Sequence, residues 1–296
     1  ALRAPIKPAR PVYLLSTASV AGWDEGQGPI GGEFDILGDK TDTFGCDTWE
    51  KAESEMQRLA LSEALSYGLL RDTDLDMIFA GDLLNQCVGS SYGLSEFNTP
   101  FLGLYGACST AAEGIMLASL MCGAYAKCAA AVTSSHNASA ERQFRFPLEY
   151  GGQRTPTSQW TVTGAGAFIL CSDAEMLRRA EISGESIEIA EVMPGIVCDA
   201  GVHDANNMGA ARAPAAADTV CTYFECGGAV PDILLTGDLG YEGTQILRDL
   251  CSARGHDISK IHSDCGLIIF DRETQDKHAG GSGCGCSAAV LSANIL

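Results

Sequence analysis

The sequence predicts an α/β protein made of two similar α/β halves, and three observations carry that prediction. Short apolar runs alternate with helical stretches, and several of the runs end in a polar turn. The stretch Met77-Ile78-Phe79-Ala80-Gly81-Asp82-Leu83 returns later as Ile233-Leu234-Leu235-Thr236-Gly237-Asp238-Leu239. Gly106-Ala107-Cys108-Ser109-Thr110-Ala111-Ala112 has a shorter echo in Gly285-Cys286-Ser287-Ala288-Ala289. The halves are expected over 1–180 and 181–296, with a site between them.

In chain order, Pro11 to Thr17 reads as a first strand. Trp23 to Asp47 is a Gly/Asp-rich excursion without a clear period, of a length usually reserved for function or for covering an interface. Asp47 with Glu50 has capping-box spacing. Trp49 to Tyr67 follows as an amphipathic helix with Ala52, Met56, Leu59, Ala60 and Ala64 on one face. Leu75 to Ala80 is a strand with Gly81 to Gln86 as the loop at its end. Pro100 to Leu104 is a buried strand. Gly114 to Lys127 is an Ala-rich helix packed on all sides, started by the Thr110/Glu113 spacing. Ala129 to Thr133 is another buried strand, ending in Ser134-Ser135-His136-Asn137.

Asp82, Cys108 and the Ser134–Asn137 cluster therefore each follow a strand. In an open parallel sheet they share the edge where ligands bind. Cys108 sits where a strand turns into a helix. Free N–H groups and the helix dipole there favour a thiolate, or a bound carboxylate. The plainer reading is a small buried thiol.

Ala140 to Trp160 is polar, with Arg142, Arg145, Arg154, Glu149, Tyr150 and Gly151-Gly152. It is either a solvated or dimer-covering loop, or the source of an arginine for the site. Gly164 and Gly166, inside the strand Thr161 to Cys171, imply close backbone approach, and another subunit is one source of it. Met208 to Cys226 is the second-half counterpart of the Trp49–Tyr67 helix. The second half stops inside its Ala-rich helix, so a C-terminal core strand is expected to be missing, unless the halves differ in length.

A net charge of -19 argues against nucleic acid and against anionic lipid. It also obliges an anionic ligand to be met by local donors or a bridging cation. No apolar run approaches the ~20 residues that span a bilayer. No signal peptide is expected, since no apolar core follows Arg3, Lys7 and Arg10. The thirteen cysteines, an odd number, read as reduced and buried. No C-x-x-C occurs, and Cys284-Gly285-Cys286 weighs little as a zinc site.

Two halves with a cysteine at a strand–helix turn resemble the thiolase fold, and Gly106-Ala107-Cys108-Ser109 looks like its nucleophile turn. The chain is most similar to the stage V sporulation protein AD family. The stretches 80–86, 105–110, 133–145, 149–153, 213–219, 264–267 and 280–284 carry that resemblance. It implies a layered αβαβα arrangement and a non-catalytic relative of the condensing enzymes. It further implies a binder of dipicolinic acid (pyridine-2,6-dicarboxylic acid) or its calcium chelate. Such a protein sits peripherally at the forespore or spore inner membrane, through other stage V sporulation membrane proteins. Relative to that family the chain ends a few tens of residues early.

Carried over by position, the ligand residues are Asp82, Cys108 and Ser134. His136 and Asn137 are added from the strand-end argument. Asp82 would repel a bare dianion. It is protonated, or holds the calcium of the chelate, or simply caps a turn. Thiolase-type catalysis needs a His and a second His or Asn from the second half. The matching turns offer Gly237-Asp238-Leu239 and Gly281-Ser282-Gly283 instead. His136 is the one candidate base for Cys108, so an acyltransferase using Cys108 is the alternative. Calcium carried with the ligand is left open, and a homodimer is expected from the sheet glycines and the fold type.

Overall fold

The structure is a computed structural model, and it describes residues 3–144, 154–180 and 187–296. Its centre is a six-stranded sheet. The strands are β1 (Tyr13–Ala21), β2 (Ile36–Leu37), β3 (Met77–Gly81), β4 (Phe101–Leu104), β5 (Cys128–Ser135) and a later strand, Gly164–Cys171. Their order across the sheet is β2, β1, Gly164–Cys171, β5, β3, β4. The sheet is mixed, not parallel throughout. Gly164–Cys171 runs antiparallel to both β1 and β5, while β3 is parallel to β4 and β5. Gly81 lies opposite Leu104 on one side and Thr133 on the other. The loops after β3, β4 and β5 therefore leave one edge, as expected.

The helix α1 (Trp49–Tyr67) covers one face, burying Met56, Ala60, Leu61 and Ala64 against Ile78, Ala130 and Ile169. Its cap differs from the expected one. Thr48 accepts from the Lys51 N–H at 3.3 Å, whereas Asp47 pairs with the Lys51 ammonium. The opposite face is covered by α2 (Thr110–Ala124) together with Cys284–Val290 from the second half. The α2 helix begins at Thr110, but no capping box forms there. Ser109 is the N-cap residue without a side-chain cap, and the Thr110 hydroxyl donates back to the Ala107 carbonyl at 2.7 Å. By length and composition alone, Ala107–Ala124 is just apolar enough to cross a membrane. Here small residues let it lie on the sheet, with Ala111, Ala118 and Cys122 buried.

Beyond that layer come two parallel strands, Leu234–Thr236 and His262–Asp264, and then the helices Met208–Glu225 and Gly240–Ala253. The helices meet the strands around Ala213, Ala217, Leu247 and Ile258, with Leu234 and Ile261 packed on them. Leu235 packs on the other side, toward Cys286 and Ala289. The layers follow the order α, β, α, β, α.

Gly164 and Gly166 owe their approach to this chain itself. A Cβ on Gly166 would sit 2.4 Å from the Ala288 carbonyl oxygen, and one on Gly164 would sit 3.1 Å from the Ala289 Cβ. The Cys284–Val290 helix is the neighbour, so the glycines are no sign of a second subunit. Ala140 to Trp160 is likewise not all loop, since Asn137–Phe144 is helical. Arg145, Glu149, Tyr150, Gly151 and Gly152 lie outside the described residues.

Candidate functional site

Three adjacent parallel strands deliver their loops to one edge, and the second half closes over them. Cys108 follows β4 in a tight turn whose preceding residue, Ala107, has φ +47°. That left-handed conformation is uncommon for a residue with a Cβ, and it marks a turn fixed by its surroundings. Cys108 is partly exposed as a residue. Its thiol is pushed up to about 12, first by burial and then by the Asp238 carboxylate, against the opposing pull of Arg212. The expected thiolate is therefore not favoured: burial outweighs the helix N-terminus and the nearby cation.

The second half supplies the groups around that thiol. The Arg212 guanidinium lies 2.9 Å from the Asp238 carboxylate. It also donates to the Asp238 carbonyl at 2.8 Å, to Gln159 Oε1 at 3.1 Å and to Ser282 Oγ at 3.1 Å. Asp238 accepts from the Gly283 N–H at 2.8 Å. Gly283 has φ +94°, and its N–H works with Arg212 against the rise in the Cys108 pKa. Behind them, the Asp264 carboxylate accepts from Thr236 Oγ1, Leu239 N, Gly240 N and Gly266 N, which fixes the turn that carries Asp238.

The first-half residues expected at the site are mostly committed to the chain. Asp82 is fully buried and accepts from Leu84 N, Ser90 N and Ser90 Oγ at 2.8, 2.7 and 2.5 Å. It therefore caps its own loop, and burial raises its carboxyl. Ser134 Oγ donates to Glu53 at 3.1 Å and accepts from Gln57 Nε2 at 2.8 Å. Gln57 Nε2 also donates to Ser90 Oγ, so Asp82, Ser90, Gln57, Ser134 and Glu53 form one buried polar network. The Ser134 carbonyl accepts from the Cys284 thiol at 3.1 Å, and Cys284 neighbours Cys108 electrostatically.

His136 is buried and turned toward the Trp23–Asp47 excursion. Its Nε2 donates to the Asp42 carbonyl at 2.8 Å, and its Nδ1 accepts from Ala138 N at 3.2 Å. These partners fix the neutral tautomer, and burial lowers its basicity further. Both ring nitrogens are thus occupied, so His136 is not placed to act as a base for Cys108. Asn137 Nδ2 donates to the Thr161 carbonyl at 3.1 Å. Arg142 pairs with Glu50 and stacks on Trp49, while Arg154 pairs with Asp276, so neither reaches the thiol.

Arg212 was not singled out by sequence reasoning. One signal for it existed. It is the only basic residue in the Ala-rich helix Met208–Glu225, one position from the buried Ala213. Among the described residues, no group of three or more His, Cys, Asp or Glu side chains is placed to hold a metal ion.

Comparison with known proteins agrees with this architecture. The family described as stage V sporulation protein AD matches residues 4–296. The stage V sporulation protein AD of Bacillus subtilis (strain 168) is 42% identical over 293 residues, covering 97% of this chain and 82% of that protein. Among solved structures, cerulenin-bound OleA of Xanthomonas campestris has a TM-score of 0.58 at 13% identity, covering 96% of this chain and 87% of the other. The 3-oxoacyl-(acyl carrier protein) synthase III of Xanthomonas oryzae pv. oryzae has a TM-score of 0.58 at 14% identity, covering 96% and 90%. At such identities these structures speak for the thiolase-like fold alone.

Proposed function

The chain belongs to the stage V sporulation protein AD family, and from that premise we propose that it binds dipicolinate, or its calcium chelate, at the Cys108 site without acyl transfer. The observation that carries the reading is the company of the Cys108 thiol. Arg212, Asp238 and Gly283 surround it, and the thiol is raised to about 12. A neutral thiol is a poor nucleophile, and a carboxylate beside it makes it poorer. The Asp238 position is where a thiolase-type enzyme would need an imidazole.

Donors for an anion are present: the start of α2, the Ser282 hydroxyl and the arginine. Asp82, Ser134, His136 and Asn137 contribute by fixing the strand-end loops. In the chelate form of the ligand, calcium enters held by the ligand's own carboxylates. Membrane attachment, at the forespore or spore inner membrane, runs through other stage V sporulation membrane proteins.

A homodimer would form by edge pairing of β4. That strand is the last of the sheet, and Leu102 and Tyr105 beside it are 49% and 52% exposed. Sedimentation velocity on Leu102→Lys tests this, and an unchanged dimer would exclude β4 as the interface.

The central test is calorimetric titration with dipicolinate, with and without calcium, on wild type and Cys108→Ala. Saturable binding weakened by the substitution, with no acyl transfer from acyl thioesters, is the expected result. An acylated Cys108 would overturn the binding reading in favour of an enzyme.

A further inference from the structure

We propose that Arg212 receives a ligand carboxylate at the Cys108 site, making this second-half arginine the anion-recognition residue. The inference deepens the binding reading, and it is tested with a probe other than dipicolinate so that the two fail separately.

Four observations carry it. Arg212 borders Cys108, and its side chain is 16% exposed, enough to be reached and too little to be freely hydrated. Its guanidinium is held in place by Asp238, Gln159 and Ser282, all through Nη1 and Nη2. The Nε–H and the second Nη2 hydrogen are the donors these contacts leave, and an edge fixed before the ligand arrives loses little freedom on receiving a carboxylate.

The negative groups nearby are already engaged. Asp264 is held by four donors, and Asp238 is shared between Arg212 and the Gly283 N–H. Finally, the whole chain carries -19, so its general field repels an anion and recognition has to be local. Of the arginines named as candidates, Arg142 pairs with Glu50 and Arg154 with Asp276, and Arg145 lies outside the described residues.

The test compares alkylation of Cys108 by iodoacetate, which carries a carboxylate, and by the neutral iodoacetamide, resolved by peptide mass spectrometry. The exposed Cys226 is the internal reference. The ratio of the two rates cancels any change in thiol acidity, because both reagents need the same thiolate. With Arg212 as a carboxylate receptor, the ratio at Cys108 exceeds that at Cys226 about tenfold, the size of one charge-assisted hydrogen bond.

Arg212→Gln brings the ratio down to the reference value, and Arg212→Lys keeps part of the excess. If Arg212→Gln fails to fold, the wild-type ratio and Arg212→Lys decide. A wild-type ratio equal to that of Cys226, an excess that survives Arg212→Gln, or no reaction with either reagent overturns the proposal. An Arg212-dependent excess in a protein that does not bind dipicolinate would keep the carboxylate subsite and remove dipicolinate as its occupant.

Discussion

Arg212 and Asp238 form an ion pair 2.9 Å long beside the Cys108 thiol, which reaches them from the other half of the chain. The two charges act on that thiol in opposite senses. Asp238 raises its pKa and Arg212 lowers it, and burial adds to the side of Asp238. Burial and Asp238 together outweigh the arginine, so the thiol is held above its ordinary value.

Removing the carboxylate should release the arginine's effect. Asp238→Asn is expected to lower the Cys108 pKa from about 12, so that alkylation by iodoacetamide quickens at pH 8 to 9. Arg212→Gln should slow it, since the cation that lowers the thiol's pKa is then gone. The pH dependence of Cys108 alkylation measures both, and identical profiles for the two variants would refute this account.

Asp82→Ala should destabilise the protein rather than simply empty a pocket. It leaves Leu84 N, Ser90 N and Ser90 Oγ without their shared buried acceptor. The expected loss is about 3 kcal/mol in urea denaturation. Asp82→Asn, which keeps an acceptor oxygen, should lose less. Equal stability of wild type and Asp82→Ala would mean that the carboxylate faces a ligand instead.

Stability should fall as pH rises from 5 to 8. Glu53 is pushed up to about 8 by burial and then by the charge of Asp82, and burial pushes Glu25 up to about 8. Both ionise near 4.5 when unfolded. The folded chain therefore holds protons that the unfolded chain has released. Their contribution is complete below the unfolded value and is lost as pH climbs through the folded one. The decline is of the order of several kcal/mol across that window. Glu53→Gln should flatten it and raise stability at pH 8. Urea titrations at a series of pH values check this, and an unchanged slope in the variant would count against it.

Gly166→Ala should destabilise the monomer itself, by about 1–3 kcal/mol, because the new methyl group meets the Ala288 backbone. Loss of self-association at unchanged unfolding free energy would instead return these glycines to a subunit interface.

Much of this architecture is legible in the chain. The helix Trp49–Tyr67 follows from its apolar spacing and ends as expected at Gly68. The convergence of the loops after β3, β4 and β5 follows from alternating strands and helices, because parallel strands must release their ends on the same side. The small residues of α2 and of Cys284–Val290 announce close packing. Caps were less legible: Thr48 rather than Asp47 holds the first turn of α1, and Thr110 turns back to Ala107 instead of pairing with Glu113. Several polar groups compete at a helix start, and local spacing does not rank them.

The sequence by itself determined the family, the thiolase-like fold and the place of Cys108 on a strand–helix turn, because these rest on local patterns repeated along the chain. Tertiary structure alone decided what surrounds that cysteine. It placed Arg212 and Asp238 beside it, sent His136 to Asp42, and buried Asp82 in its own loop. The state of a thiol depends on burial and on charges within a few ångströms, and residues 108, 212 and 238, far apart in the chain, become neighbours only in the folded protein.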